Sequence, residues 1–426
     1  VATRGTLLGL LALSASACYA SSHDHLSDAL EEPGESETVD TIDGNPGDDN
    51  PQDDVPTEEA TACSVVRTGD EIQLVPPPRY HHNGVTSHGM AFGNGTFGLA
   101  WSDDRDSYNR IAQIYFAVLD LEGEKLVEDT RLTPIDSTHR SYDPDVSFGG
   151  IDFAAVYLTQ VYEPEAGPCE IFLRLVAPDG TQIGDETRVS RIEGTAHHPI
   201  IEPHAEGFAM LWCDSIEAVC SVKFTRLDRE GNVTGDDVLI STVLDSRNFS
   251  MAYNGTNYGV VWKDEQVHTS SVYFSLIGSD GSIIVDAVRI GPSGFREAPS
   301  VAACDGEFGV TYTTEGTGWS QIFLARLSGS GERISGDIAL SSGENDSIAP
   351  VVACSGGEYG VAWKDGSDYG VHFAMYSPAE GTARNEILVS EESTGGESIS
   401  IATTGSEFGL AWNGGGQLFF SKVGCL

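Results

Sequence analysis

One five-residue phrase recurs seven times, and it restricts the fold more than any other feature of the chain. An aromatic residue is followed by a small one, usually Gly, then two mostly apolar residues and a second large aromatic. The phrase reads FGLAW at 97–101, FAAVY at 153–157, FAMLW at 208–212 and YGVVW at 258–262, then FGVTY at 308–312, YGVAW at 359–363 and FGLAW at 408–412. The closing aromatics, Trp101, Tyr157, Trp212, Trp262, Tyr312, Trp363 and Trp412, stand 56, 55, 50, 50, 51 and 49 residues apart. A repeat of this period is one supersecondary unit that buries its apolar face only against its neighbours.

Each unit reads as four short strands. In the fifth they fall at Ser300–Cys304, Phe308–Thr313, Ser320–Leu327 and Asp337–Ser341. Third and fourth strands are joined by turns such as DLEGE, APDGT, LDREGN, GSDGS and SGSGE, whose Asp and Gly suit tight hairpins. They lack the alternating oxygen ligands of a calcium loop. Four-stranded antiparallel units of about 50 residues predict an all-β fold, a seven-bladed β-propeller over residues 63–426. The innermost strands carry small residues, as in SVAAC, VVACS and SISIAT. The repeated Trp or Tyr is expected to pack between neighbouring blades.

The two ends of the domain predict how the ring closes. The seventh unit stops after its third strand, GQLFFSKVGCL, while Gly69–Val75 (GDEIQLV) resembles the fourth strand of the fifth unit, GDIALS. The N-terminal strand is therefore expected to complete the last blade. Aligned on the fifth unit, Cys63 and Cys425 fall on neighbouring columns of one hairpin turn, which predicts a disulfide that staples the ring. Cys213 and Cys220 flank one loop and predict a local disulfide. Cys304 and Cys354 share a column in adjacent blades, a pairing left open, and Cys169 is left over. Neither a Cys-x-x-Cys zinc pattern nor a nucleophile motif is present.

Ahead of the repeats, residues 1–17 have the form of an export signal: Arg4, then the apolar stretch TLLGLLALSASA at 6–17. Ala15-Ser16-Ala17 fits ordinary signal-peptidase cleavage. The run Leu13–Cys18 also resembles the lipobox of bacterial lipoproteins, with Ala15 where that family carries Leu, and implies lipidation at Cys18. Residues 18–62 form an acidic segment expected to be a disordered tether, with fourteen Asp and Glu and no Lys or Arg between Ser21 and Ala62. The whole chain carries a net charge of −42, which argues against nucleic acid and anionic membrane surfaces as primary partners. Contact with a membrane is expected only through a lipid anchor.

Loops that lead from one blade into the next are the expected ligand face. Six of the eleven histidines lie in the first three of these loops, and Arg79, Arg140, Arg191, Arg247 and Arg296 belong to the set. The sharper reading is a pocket for a carboxylate-bearing ligand, with Arg140, His198, Arg247, Arg296 and Glu297 as candidate contacts. The plainer reading is local pairing with the surrounding acids. His88, Asp143 and His198 are weighed as a metal triad and set aside, because their loops are not held at one spacing. No cofactor or metal is assigned. Asp103, Asp214, Asp264 and Asp365, each two residues past the repeated Trp, predict side-chain caps on the loop backbone.

The repeat resembles those of secreted bacterial proteins and lipoproteins whose propeller blades carry xFGVAWxD-like phrases. That resemblance implies architecture and lends no activity. Phe295–Pro299 (FREAP) faintly resembles the arginine motif opening sialidases, but the Ser-x-Asp-x-Gly-x-Thr-Trp boxes are absent and no catalysis is carried over. The expectation is an exported, lipid-anchored binding module or scaffold at the cell envelope, with a carbohydrate or protein ligand. Its alternative is a glycoside hydrolase or lyase, for which Glu297 and Glu397 are a candidate carboxylate pair.

Overall fold

A computed structural model describes residues 63–426 apart from 79–83, 107–110, 135–137, 162–166, 217–218, 244–248, 267–268, 292–298, 316–317, 391–395 and 397. The leader, the acidic segment and Cys18 lie outside the described residues, as do Arg247, Arg296, Glu297 and Glu397. The described residues form seven small antiparallel sheets in a ring, a seven-bladed β-propeller, with no helix among them. In the fifth blade the strands are Ser300–Cys304, Glu307–Glu315, Ser320–Leu327 and Ile338–Ala339, close to the expected bounds. The outermost strand is short there, which limits the exposed pairing edge. Inner strands neighbour one another around the ring, and the seventh (Ser398–Thr403) returns to the first (Ser87–Gly93).

The aromatic phrase builds every blade interface. The described core resolves into seven clusters, each joining two adjacent blades, and each holds one closing aromatic, all seven of which are buried. Trp212, for example, packs with Ile171 and Leu173 of the preceding blade, and Trp412 with Phe373. The small residue of the phrase has its own cause. A Cβ on Gly309 would lie 2.3 Å from Tyr359 of the next blade, and one on Gly409 would lie 2.5 Å from Phe97 across the closing seam. The first aromatic of each of these blades thus lies against backbone that carries no side chain.

Turn chemistry agrees with the repeat. Gly123, Gly180, Gly231, Gly281 and Gly331 have φ between 80° and 89°, the left-handed position of the turn between third and outer strands. Asp120, Asp228 and Asp280 accept backbone N–H groups within the same turns, as the hairpin reading requires. At the end of the outer strands, Thr133, Ser190, Ser341 and Ser390 each accept the N–H of the residue 19 positions earlier on the third strand.

Closure follows the expected route with one added strand. Ile72–Val75 pairs with Gln417–Cys425, and so does a second short strand, Val65–Arg67, in the register Val65 opposite Cys425. Cys63 and Cys425 form the disulfide, their Cα atoms 5.4 Å apart. Asn385 of the sixth blade holds Val65 by hydrogen bonds to both its N–H and its carbonyl. The Cys213–Cys220 disulfide is present, and Cys304–Cys354 links the inner strands of the fifth and sixth blades with Cα atoms 5.4 Å apart. Cys169 is buried, its sulfur 2.7 Å from the Tyr142 hydroxyl, and no described cysteine is a free thiol.

Two outcomes test these contacts. Cys63→Ser is expected to lower the stability of the oxidised chain by about 2–5 kcal/mol, and an unchanged calorimetric midpoint would remove the staple from the account. Gly309→Ala is expected to cost about 1–3 kcal/mol through overpacking against Tyr359. Gly336→Ala, where an added Cβ meets nothing within 4 Å, is its neutral control in denaturant titration.

Candidate functional site

The ring encloses a central channel, and the inner strands decide what faces it. At the end where the chain enters each blade, a cavity of about 450 Å³ opens. A second, of about 350 Å³, lies at the hairpin end. The two share Glu202 and a waist of Met90, Val146, Ile201, Val301, Val352 and Ile401. The entry cavity is rich in hydroxyls, including Ser87, Ser250, Ser300, Ser398 and Ser400, and holds Asp143, Asp145, His88 and His198. Among the described residues neither cavity is lined by Lys or Arg.

The wall is built by contacts from blade to blade. The Asp145 carboxylate accepts the N–H of Ile201 at 2.9 Å. Ser250 accepts the N–H of Val301 and Ser300 that of Val352, each at 3.3 Å. These three residues occupy the same position on the inner strands of the second, fourth and fifth blades, so a serine hydroxyl is sufficient for the latch and Asp145 brings a charge the latch does not require. Asp143, His198 and Ala349 have φ of 52°, 46° and 53° in equivalent bulges, each ahead of a proline. Ala349 shares the geometry, so this left-handed backbone is a property of the bulge rather than of a ligand contact.

Glu202 breaks the repeat. Its column on the inner strands reads Ala91, Ser147, Glu202, Ala252, Ala302, Ala353 and Ala402. These residues pair across the sheet with the small residue of each phrase, Ala209 in the case of Glu202. Partial burial in the channel wall, with the Asp145 charge adding to it, pushes the Glu202 carboxyl up to about 8. Asp145 is pushed up to about 6, burial outweighing its backbone hydrogen bonds. Beside them the Tyr258 hydroxyl of the fourth blade is buried without a hydrogen-bond partner, and burial and the Glu202 charge both raise its pKa.

The residues singled out from sequence divide plainly. His198 lines the entry cavity, its ring 5.3 Å from Phe249 centroid to centroid. Arg140 lies at the start of its inner strand, outside the described cavity lining, with its guanidinium 5.3 Å from the Tyr142 ring centroid. His88 is held by Ala411 and Ser398, and burial pulls its pKa down to about 4. His88, Asp143 and His198 do share the entry cavity. Among the described residues, however, the group of three donors found within 4.8 Å of one another is Asp365, Asp368 and His372. His372 already hydrogen-bonds to Asp368 and Glu386, while Asp365 and Asp368 accept loop N–H groups from Ser367 and Gly370.

Asp103 and Asp365 cap the N–H two residues on, whereas Asp214 caps the incoming loop at Glu193 and Gly194. Sequence reading missed Glu202 and Asp145. The signal was present: aligning the inner strands column by column isolates one glutamate among alanines and a serine.

No protein-family profile matches the sequence, and no curated protein matches it. Among solved structures the chain is similar to a prolyl endopeptidase, at 13% identity over 78% of this chain and 45% of that one, with a TM-score of 0.47. It is similar to a puromycin-hydrolyzing peptidase of Mycobacterium tuberculosis, at 12% identity over 80% and 52%, with a TM-score of 0.49. It is also similar to the hemagglutinin-neuraminidase ectodomain of parainfluenza virus 5, at 8% identity over 85% and 86%, with a TM-score of 0.44. The chain spans about half the length of the two peptidases. Identities this low lend it no activity.

The Glu202 shift has a definite pH consequence. The folded chain keeps this proton to about pH 8, while the ordinary value is 4.5. Its contribution to stability is therefore complete below about pH 4.5, falls as pH rises towards 8, and is lost above it. Glu202→Gln should remove that decline, so the midpoint gap between variant and wild type should widen from pH 4.5 to 8. A gap constant across thermal scans in that range would show a solvated carboxyl.

Proposed function

We propose that this chain is an exported, lipid-anchored binding module of the cell envelope, and that its propeller binds carbohydrate at the entry end of the channel. The observation that carries the carbohydrate reading is the cavity of about 450 Å³ lined by hydroxyls, carboxyls and imidazoles above an apolar waist. Pockets of this size with a few convergent polar groups suit small ligands, and alternating hydroxyl and carboxyl groups match the donors and acceptors of a sugar. The carboxyls of Asp143, Asp145 and Glu202 in the lining favour an uncharged sugar over the carboxylated ligand expected from the loop arginines. Export is supported by the leader and by three disulfides, Cys63–Cys425, Cys213–Cys220 and Cys304–Cys354. Anchoring is supported by Cys18 in its lipobox-like context.

Calorimetric titration of the full chain with N-acetylglucosamine, cellobiose and maltose tests the binding reading. Saturable binding of at least one, weakened about tenfold by His198→Ala, is expected, the loss of one polar contact. The fold tolerates that change, because Ala349 holds the equivalent bulge position in the sixth blade. Absence of heat with all three sugars would overturn it. Transfer of the chain from the membrane to the soluble fraction on Cys18→Ser tests the anchor.

A further inference from the structure

Glu202 stands where five of the other six blades carry alanine and one a serine, at the level where the two channel cavities meet. A carboxyl there does nothing for the ring that a methyl group does not do elsewhere, and its partial burial is a cost. Asp145, in the preceding blade, exceeds what its latch needs in the same way. Around Glu202 stand Asp145 from the second blade, His204 on its own strand, and Tyr253 and Tyr258 from the fourth. None of these is a cation that would hold the carboxyl ionised, since burial keeps His204 below its ordinary value. The Tyr258 hydroxyl and the His204 Nε2 are buried polar atoms with no partner among the described residues, although such atoms are nearly always paired in folded proteins.

We infer that Glu202 is the specificity-determining contact of the channel site, a neutral carboxylic acid whose O–H donates to an acceptor oxygen of an uncharged sugar. It thereby selects neutral sugars over their uronic acids. This rests on the carbohydrate reading of the entry cavity. A protonated carboxyl supplies one O–H donor and keeps its carbonyl as acceptor, which matches a sugar hydroxyl or ring oxygen. A uronate would instead bring its charge against the carboxyls of Asp143 and Asp145 in the same lining. Burial of Glu202, which pushes its carboxyl up to about 8, keeps the donor in place through neutral pH.

Titration calorimetry of the full chain with cellobiose, N-acetylglucosamine and glucuronate, at about pH 6 and about pH 9.5, tests this. The wild type is expected to bind a neutral sugar at least about tenfold more tightly than glucuronate at the lower pH. At the higher pH its neutral-sugar affinity should fall about tenfold as the donor ionises. Glu202→Gln, which keeps a donor at every pH, should bind within about threefold of wild type at pH 6 and show no fall. Glu202→Ala, the residue of five other blades, should keep the fold and lose about tenfold at pH 6. Wild-type affinity in Glu202→Ala, or a preference for glucuronate, would overturn the role of Glu202 and leave the binding module standing. Failure of every sugar to bind the wild type would remove both.

Discussion

The whole structure depends on an aromatic ring of one blade lying against bare backbone of the blade before it. Gly98 faces Phe153, Gly259 faces Phe308, Gly309 faces Tyr359, Gly360 faces Phe408 and Gly409 faces Phe97, so five of the seven interfaces share the contact, the closing one included, while Ala154 and Ala209 hold the position in the second and third blades. Each buried ring contributes about 1.5–3 kcal/mol by leaving water, and the glycine lets the sheets approach closely enough for that burial to be complete. Any one interface is modest. Seven in a closed cycle leave no end blade with an exposed apolar face, which is the weakness of open repeat arrays.

Closure then becomes the problem that remains, and the chain solves it at its two ends. The last blade takes its outer strands from Val65–Arg67 and Ile72–Val75, and the Cys63–Cys425 disulfide ties the two termini of the domain together. Arg67 and Asn385 extend the hold to the sixth blade, so that the seam is crossed by backbone pairing, side-chain hydrogen bonds and a covalent bond. Cys304–Cys354 adds a second covalent tie between adjacent inner strands at the hairpin end of the channel.

Against so regular a wall, departures from the repeat carry meaning. A scaffold alone is served by alanine and serine along the channel, as the fourth and fifth blades show with Ser250, Ala252, Ser300 and Ala302. The second and third blades instead place Asp145 and Glu202 there, and burial raises the pKa of both. These two carboxyls are the departures from the repeat on which the proposed site rests. Arg140 rests on the ring of Tyr142 away from the described cavity lining, and its type and spacing alone did not distinguish a packing role from a ligand contact.

What the amino-acid order determined by itself was the number of blades, their strand order, the closing strand and its disulfide. These follow from short-range periodicity and from matching of the two ends, both of which are local patterns of side-chain type. The packing role of the repeated Trp and the hairpin turns were legible for the same reason. Folding in three dimensions decided the rest. Only the curvature of the ring brings Asp145, Glu202 and Tyr258 together from positions more than 50 residues apart in sequence, and only partial burial beside the Asp145 charge raises the pKa of an otherwise ordinary glutamate.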